Sequence, residues 1–368
     1  VVHIFLKNGA SLKFKNKTGL ASLAQEIIEK DLEKASQRIG FRFKTWLDWD
    51  YFSITLYLPK SINSLDLDDI ISLVLGPKKI SEQELADVQK EVLQRASESI
   101  SRKYMDYQSI SLMVHHSSIY SRSTIGNSED IESVTADEIK DFMSCYCTVN
   151  NSILSVSGIS KFKQLKKLLS GLKPCFKTTE YSVEKFATVD LPRRIISHTK
   201  SDKKYEYVKI SFPSNACEAK KNLSYDLLAQ IIINDPEISS MARHVFAKNT
   251  CYKGLGVFEI DMSEPMSKTD PESSVSKVFT RLSELSSSIE EAQLNYAKKE
   301  LEKKYMDLLN NREDTLYALS KALVLCEDKR CFTEYLYNME KIRVDDIKRI
   351  LHYLSEDRSL KLFIKMEI

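Results

Sequence analysis

Thr18-Gly19-Leu20-Ala21-Ser22-Leu23-Ala24-Gln25-Glu26-Ile27-Ile28 is the stretch on which the fold turns. Beyond Gly19, the apolar residues Leu20, Leu23, Ala24, Ile27, Ile28 and Leu32 recur at helical spacing. They predict an amphipathic helix with one buried face. Part of this stretch occurs twice: Leu23-Ala24-Gln25-Glu26-Ile27-Ile28 returns as Leu228-Ala229-Gln230-Ile231-Ile232-Ile233. Other fragments return with it. Val2-His3-Ile4 matches Val208-Lys209-Ile210, and Leu85 with Lys90-Glu91-Val92 matches Leu294 with Lys299-Glu300-Leu301. Ala136-Asp137-Glu138-Ile139-Lys140 matches Val344-Asp345-Asp346-Ile347-Lys348. The offsets stay between 205 and 209 along the whole chain. Chance similarities would not keep both order and spacing, and a repeat this long is a duplicated domain, not a solenoid unit.

Each half shows the same order of elements. A strand opens it (1–6; 207–212), the apolar helix follows, and further strands come next (41–45 and 51–58; 254–262). Helices then begin at capping boxes, Ser81-x-x-Glu84, Thr135-x-x-Glu138 and Ser288-x-x-Glu291, in which a hydroxyl and a carboxylate satisfy free backbone N–H groups. Gly76-Pro77 and Gly171 are stop signals. Ile153-Leu154-Ser155-Val156 and Leu360-Lys361-Leu362-Phe363-Ile364 close the two halves as strands. The polar stretch 173–200, with Pro174 and Pro192, reads as a linker. The expectation is an α+β protein of two homologous lobes, 1–172 and 201–368, each a mostly antiparallel sheet with helices packed on it.

The bulk numbers exclude several classes. With 368 residues, 42% hydrophobic and 29% charged, the chain has material for about two packed cores. It carries 54 basic and 52 acidic residues, a balance without the signature of a nucleic-acid or membrane-surface binder. No apolar run approaches the roughly 20 residues that span a bilayer. Seven scattered cysteines do not make a complete disulfide framework and favour a reducing compartment. Nine glycines leave little room for a phosphate-cradling loop.

This order of elements resembles the insulinase and mitochondrial-processing-peptidase family over nearly all of the chain. Thr18-Gly19-Leu20-Ala21 is similar to the family's G-[LI]-A at the start of its metal-binding helix. Gly126 to Phe142 is similar to the stretch before the first lobe's final helix. Asn150-Asn151-Ser152-Ile153-Leu154-Ser155-Val156-Ser157-Gly158 resembles its closing strand, and Ser239 to Tyr252 resembles a segment of its second lobe. The family normally has a further N-terminal strand, which would stand ahead of Val1.

The resemblance makes the departures informative. Active members carry H-x-x-E-H directly after G-x-A. Residues four apart share a helix face, so two imidazoles grip one Zn²⁺, and the Glu takes a proton from the metal-bound water. Those positions here are Ser22, Gln25 and Glu26. A hydroxyl is a poor zinc ligand, an amide is no base, and one carboxylate does not hold zinc. The helix that supplies the family's third ligand falls within 82–104, and its expected turn reads Gln94-Arg95-Ala96, with no ligand. Glu91 and Glu98 stand about a turn away and read as solvated helix residues. None of the six histidines has another at i,i+4. Cys145, Cys147, Cys326 and Cys331 read as inert thiols. No catalytic residue, metal or cofactor is expected: zinc belongs to the family, but its motif is absent.

The resemblance implies that extended peptides add as a strand to an exposed sheet edge. It also implies that an Arg and a Tyr from a second lobe hold the substrate. Tyr252 stands at the Tyr position; at the Arg position alignment gives Phe246, with Arg243 about a turn earlier. The expected role is a non-catalytic subunit that pairs with a zinc-bearing homologue, or with a second copy, and contributes to peptide binding or chamber closure. The alternatives are a structural subunit like the core proteins of the respiratory bc1 complex, and a working peptidase with an unrecognised site. Localisation is left between bacterial cytoplasm or periplasm and a mitochondrial compartment.

Overall fold

The computed structural model describes residues 1–60, 62–76, 78–98, 110–114, 118–158, 193–200, 205–217, 221–265, 271–356 and 359–367. The first sheet has the order β2-β3-β1-β4 and is antiparallel throughout. Its strands are β1 (Val2–Leu6), β2 (Arg42–Leu47), β3 (Phe52–Tyr57) and β4 (Ser152–Val156). Strand β1 is buried along its whole length, with Ile4 between Ile54 and Leu154. Helix α1 (Leu20–Ile39) lies on one face, and its predicted stripe of Leu20, Leu23, Ala24, Ile27, Ile28 and Leu32 joins the core. Gly19 begins it at φ 84°, and a Cβ there would stand 2.5 Å from Cγ1 of Ile131. Only glycine meets both conditions.

Helices α2 (Ser64–Leu75), α3 (Glu82–Glu98), α4 (Ser128–Ser133) and α5 (Ala136–Tyr146) complete that layer. Two of the predicted capping boxes are present. Ser81 and Glu84 bond each other's backbone N–H groups at 3.2 and 2.9 Å, and Thr135 and Glu138 do the same at 3.3 and 3.0 Å. Gly76 stops α2 as expected; Gly171 lies outside the described residues.

The second sheet has five strands in the order β5-β9-β6-β8-β7. They are β5 (Arg193–Lys200), β6 (Tyr205–Ser214), β7 (Ala242–Cys251), β8 (Gly256–Pro265) and β9 (Leu360–Glu367). All neighbours are antiparallel except β5 and β9. On it pack α6 (Lys221–Asn234), α7 (Pro236–Ser239), α8 (Pro271–Ser288) and α9 (Glu291–Asn310). Helices α10 (Arg312–Leu325), α11 (Arg330–Thr333), α12 (Tyr335–Glu340) and α13 (Val344–Ser355) follow. The α+β class and the duplicated, mostly antiparallel sheets are therefore as the repeat implied.

Four local readings are corrected. Residues 193–200, read as the end of a linker, form β5; the stretch 173–192 lies outside the described residues. Strand β7 was not read as a strand. Ser288 caps nothing, because α8 runs through it and its hydroxyl bonds the Glu284 carbonyl at 2.9 Å; the backbone N–H of Glu290 is met instead by Gln293 at 3.0 Å. Finally, Cys217 and Cys251 form a disulfide, so the thiol argument for a reducing compartment falls. Cys145 and Cys147 are buried free thiols, as expected, and burial pushes Cys147 up to about 12.

The compact units are not simply the two halves in succession. One comprises Val1–Ser99, Arg122–Ser182 and Asn311–Glu327, the other Ile100–Ser121, Val183–Asn310 and Asp328–Ile368. The segments 100–121 and 311–327 correspond under the internal repeat, so each unit takes the other half's copy of one segment. In the first unit that segment is α10, which covers the sheet face opposite α1. Tyr317 packs 5.1 Å from the Phe5 ring, and Ser320 bonds Ser155 at 2.6 Å.

Candidate functional site

The degenerate positions sit in the first unit, where α1 meets the edge strand β2 and helix α3. Ser22 is buried and donates its hydroxyl to the Thr124 carbonyl at 2.9 Å. Gln25, a turn on, donates to Glu29 Oε1 at 2.8 Å and to Thr45 Oγ1 at 3.1 Å. Thr45 belongs to β2 and itself donates to Glu29. The amide thus fastens the helix to the edge strand and has no proton-accepting part to play.

Glu26 meets a cation. The guanidinium of Arg95, on α3, donates to Glu26 through Nη2, and Nη1 stands 3.7 Å from Glu29. Beside them Lys30 of α1 bonds Glu91 of α3 at 2.9 Å. Burial pushes the Glu26 carboxyl up to about 7. Arg95 pulls against this, while a hydrogen bond with Glu91 and the charge of Glu29 add to it. Glu91 is held below the usual carboxylate range, chiefly by Lys30.

Sequence reasoning missed Arg95; its reading of Glu91 as a solvated helix residue agrees with a side chain 48% exposed, here paired with Lys30. The turn Gln94-Arg95-Ala96 holds no ligand; its cation is the group that reaches the site. The signal was present, since a basic residue stood where an acidic ligand was sought and a lone carboxylate stood at Glu26. Glu98 has no described side chain.

These residues do not fit a zinc ion. The hydroxyl of Ser22 is committed to a carbonyl, Gln25 is an amide, and Glu26 is ion-paired. Among the described residues no group of three or more His, Cys, Asp or Glu side chains is arranged to hold a metal.

Beside this arrangement, β2 is an edge strand: among the described residues it pairs only with β3, and no strand of theirs takes its other side. A cavity of about 200 Å³ adjoins the strand on the face away from α1, lined among others by Lys44, Trp46, Tyr57, Glu313 and Tyr317. Trp46 is 42% exposed there. An extended segment on this edge would send alternate side chains towards α1 and towards the cavity.

The two residues assigned from the second lobe lie apart in character. Tyr252 is buried, its ring 5.5 Å from Tyr120, and its backbone bonds Leu255 and Cys217 at 2.7 and 2.9 Å. Arg243 is exposed on β7, the edge strand of the second sheet, and Phe246 on the same strand is 46% exposed.

No family model matches the sequence, and no curated protein matches it. Solved structures do. A protease from Helicobacter pylori is 18% identical with a TM-score of 0.81, over 99% of this chain and 94% of that one. An inactive M16 peptidase domain from Pseudomonas fluorescens is 14% identical with a TM-score of 0.81, over 100% and 92%. A chain of complex III2 from Candida albicans is 13% identical with a TM-score of 0.80, over 99% and 90%. The chain therefore has the fold of M16 peptidases, shared by an inactive domain and by a component of complex III.

Proposed function

We propose that this chain is a non-catalytic member of the insulinase and processing-peptidase family. It pairs with a zinc-bearing homologue and contributes a peptide-binding edge to the shared chamber. The observation that carries this reading is the ion pair of Arg95 with Glu26, the carboxylate left at the second zinc-ligand position. A site spent on an internal charge pair has neither the metal nor the base that peptide hydrolysis in this fold requires.

What remains is suited to holding peptide. The open edge of β2 offers main-chain hydrogen bonds, which are tolerant of sequence. The cavity behind it and exposed Trp46 offer a place for a side chain. Arg243, on the open edge of the second sheet, is retained as a peptide-binding candidate. The interior position of Tyr252 favours a packing role.

Co-expression with the zinc-bearing homologue from the same source tests the proposal. The expected result is a stable complex whose peptidase activity exceeds that of the homologue alone. No complex, or a homologue fully active by itself, would count against it. The likeness to a chain of complex III2 supports a second reading, a structural core-type subunit. Persistent co-purification with membrane complexes, without any effect on peptide cleavage, would favour that one.

A further inference from the structure

The fold marks a metal position in the first unit, and the residues present do not fit a metal. The disagreement has a specific replacement. We propose that Arg95 is the resident cation of this site, occupying the carboxylate oxygens that a divalent ion would otherwise take. This rests on the non-catalytic family reading above, which locates the position, but not on the peptide-binding part of that reading.

Three observations converge on it. Arg95 comes from the helix, and from the turn, where the third ligand was sought. Its guanidinium reaches both Glu26 and Glu29, one turn apart on α1. The Glu26 side chain is only 11% exposed, so its ionised form depends on the cation beside it.

The neighbouring pair runs in the opposite sense, Lys30 of α1 to Glu91 of α3. The two helices are thus joined by two ion pairs of opposite polarity. Without Arg95, Glu26 and Glu29 lose the cation that reaches them, while Glu91 keeps Lys30. The oxygens of Glu26 and Glu29 are then open to an added small cation. The Arg95 side chain is 45% exposed, so that space opens to solvent.

The test uses the full chain and needs neither partner nor peptide. Melting temperatures are measured for the unaltered chain, R95A and R95K, first in chelator, then with millimolar Ca²⁺ or Mn²⁺, then with millimolar guanidinium. The unaltered chain is expected to melt alike in all three. R95A is expected to melt lower by about 2–6 °C and to regain at least half of that with either cation, but not with NaCl of equal ionic strength. R95K should lie between, and the double variant R95A/E26Q should lose the response to cations. R95Q, which keeps side-chain length and removes the charge, carries the same test if R95A does not fold. An R95A or R95Q chain as stable as the original would overturn the proposal. So would a loss that no cation relieves, or an original chain that divalent ions stabilise.

Discussion

At His3 and Lys209 the repeat puts a polar side chain at the same place in both halves, on the central part of each sheet. The two solutions differ. His3 is 1% exposed, and its Nδ1 lies 2.9 Å from Thr55 Oγ1. Burial lowers its pKa below 6.5, with Glu313 as the main opposing charge. A base that resists protonation when folded makes stability fall as pH drops below 6.5, where the unfolded chain takes up the proton. Urea midpoints across pH 7.5 to 5 should show a shallower acid decline for His3→Gln than for the original chain. Lys209 is fully buried between Glu259 at 3.0 Å and Asp261 at 2.8 Å, with Lys248 on the far side of Glu259 at 3.2 Å. Lys209→Met removes one partner of a buried network and is expected to cost about 3–5 kcal/mol in equilibrium denaturation. A cost under about 1 kcal/mol would show that the surrounding groups do not need it. Neither partnership was legible in the sequence, because both depend on strand pairing across about 50 residues. The same limit hid Arg95. Its charge could be read, but its target Glu26 stands on another helix, 69 residues away.

Apart from the box expected at Ser288, the elements named from local signals are present. Helix α1 follows from its apolar stripe and from glycines at both ends, Gly19 and Gly40, each in left-handed conformation. Gly19→Ala adds a strained φ and a 2.5 Å contact with Ile131, and should cost about 1–3 kcal/mol of stability. A chemical denaturation curve would check it; a neutral result would mean that the start of α1 can shift without loss. The elements that were missed have no local signature. β5 follows Pro192 in a polar stretch, and becomes a strand because β9 offers it a parallel edge. β7 carries Arg243, His244, Lys248 and Asn249 among its apolar residues, as an edge strand with one open side can. Nothing in the sequence of the α10 segment says which unit it joins.

Across the whole molecule the duplication was the most legible feature, since it needs only order and spacing. The disulfide was not legible: two cysteines 34 residues apart match no framework, and only the fold brings their Cα atoms to 5.0 Å. The bond ties the loop after β6 to the end of β7. Closing a loop of that length contributes about 3–4 kcal/mol in the chain-entropy account. Reduction, or the paired change Cys217→Ser with Cys251→Ser, should lower the melting temperature measurably; an unchanged melt would show that the link contributes nothing to the second unit. In the first unit the proposal is that an internal charge pair, Arg95 with Glu26, stands where active members of the family hold zinc. The most direct measurement is the zinc content of the purified, untagged chain after incubation with Zn²⁺ and desalting, with peptide cleavage followed in parallel. The account predicts well under one zinc per chain and no chelator-sensitive cleavage. One tightly held zinc per chain, with cleavage that a chelator abolishes, would contradict it.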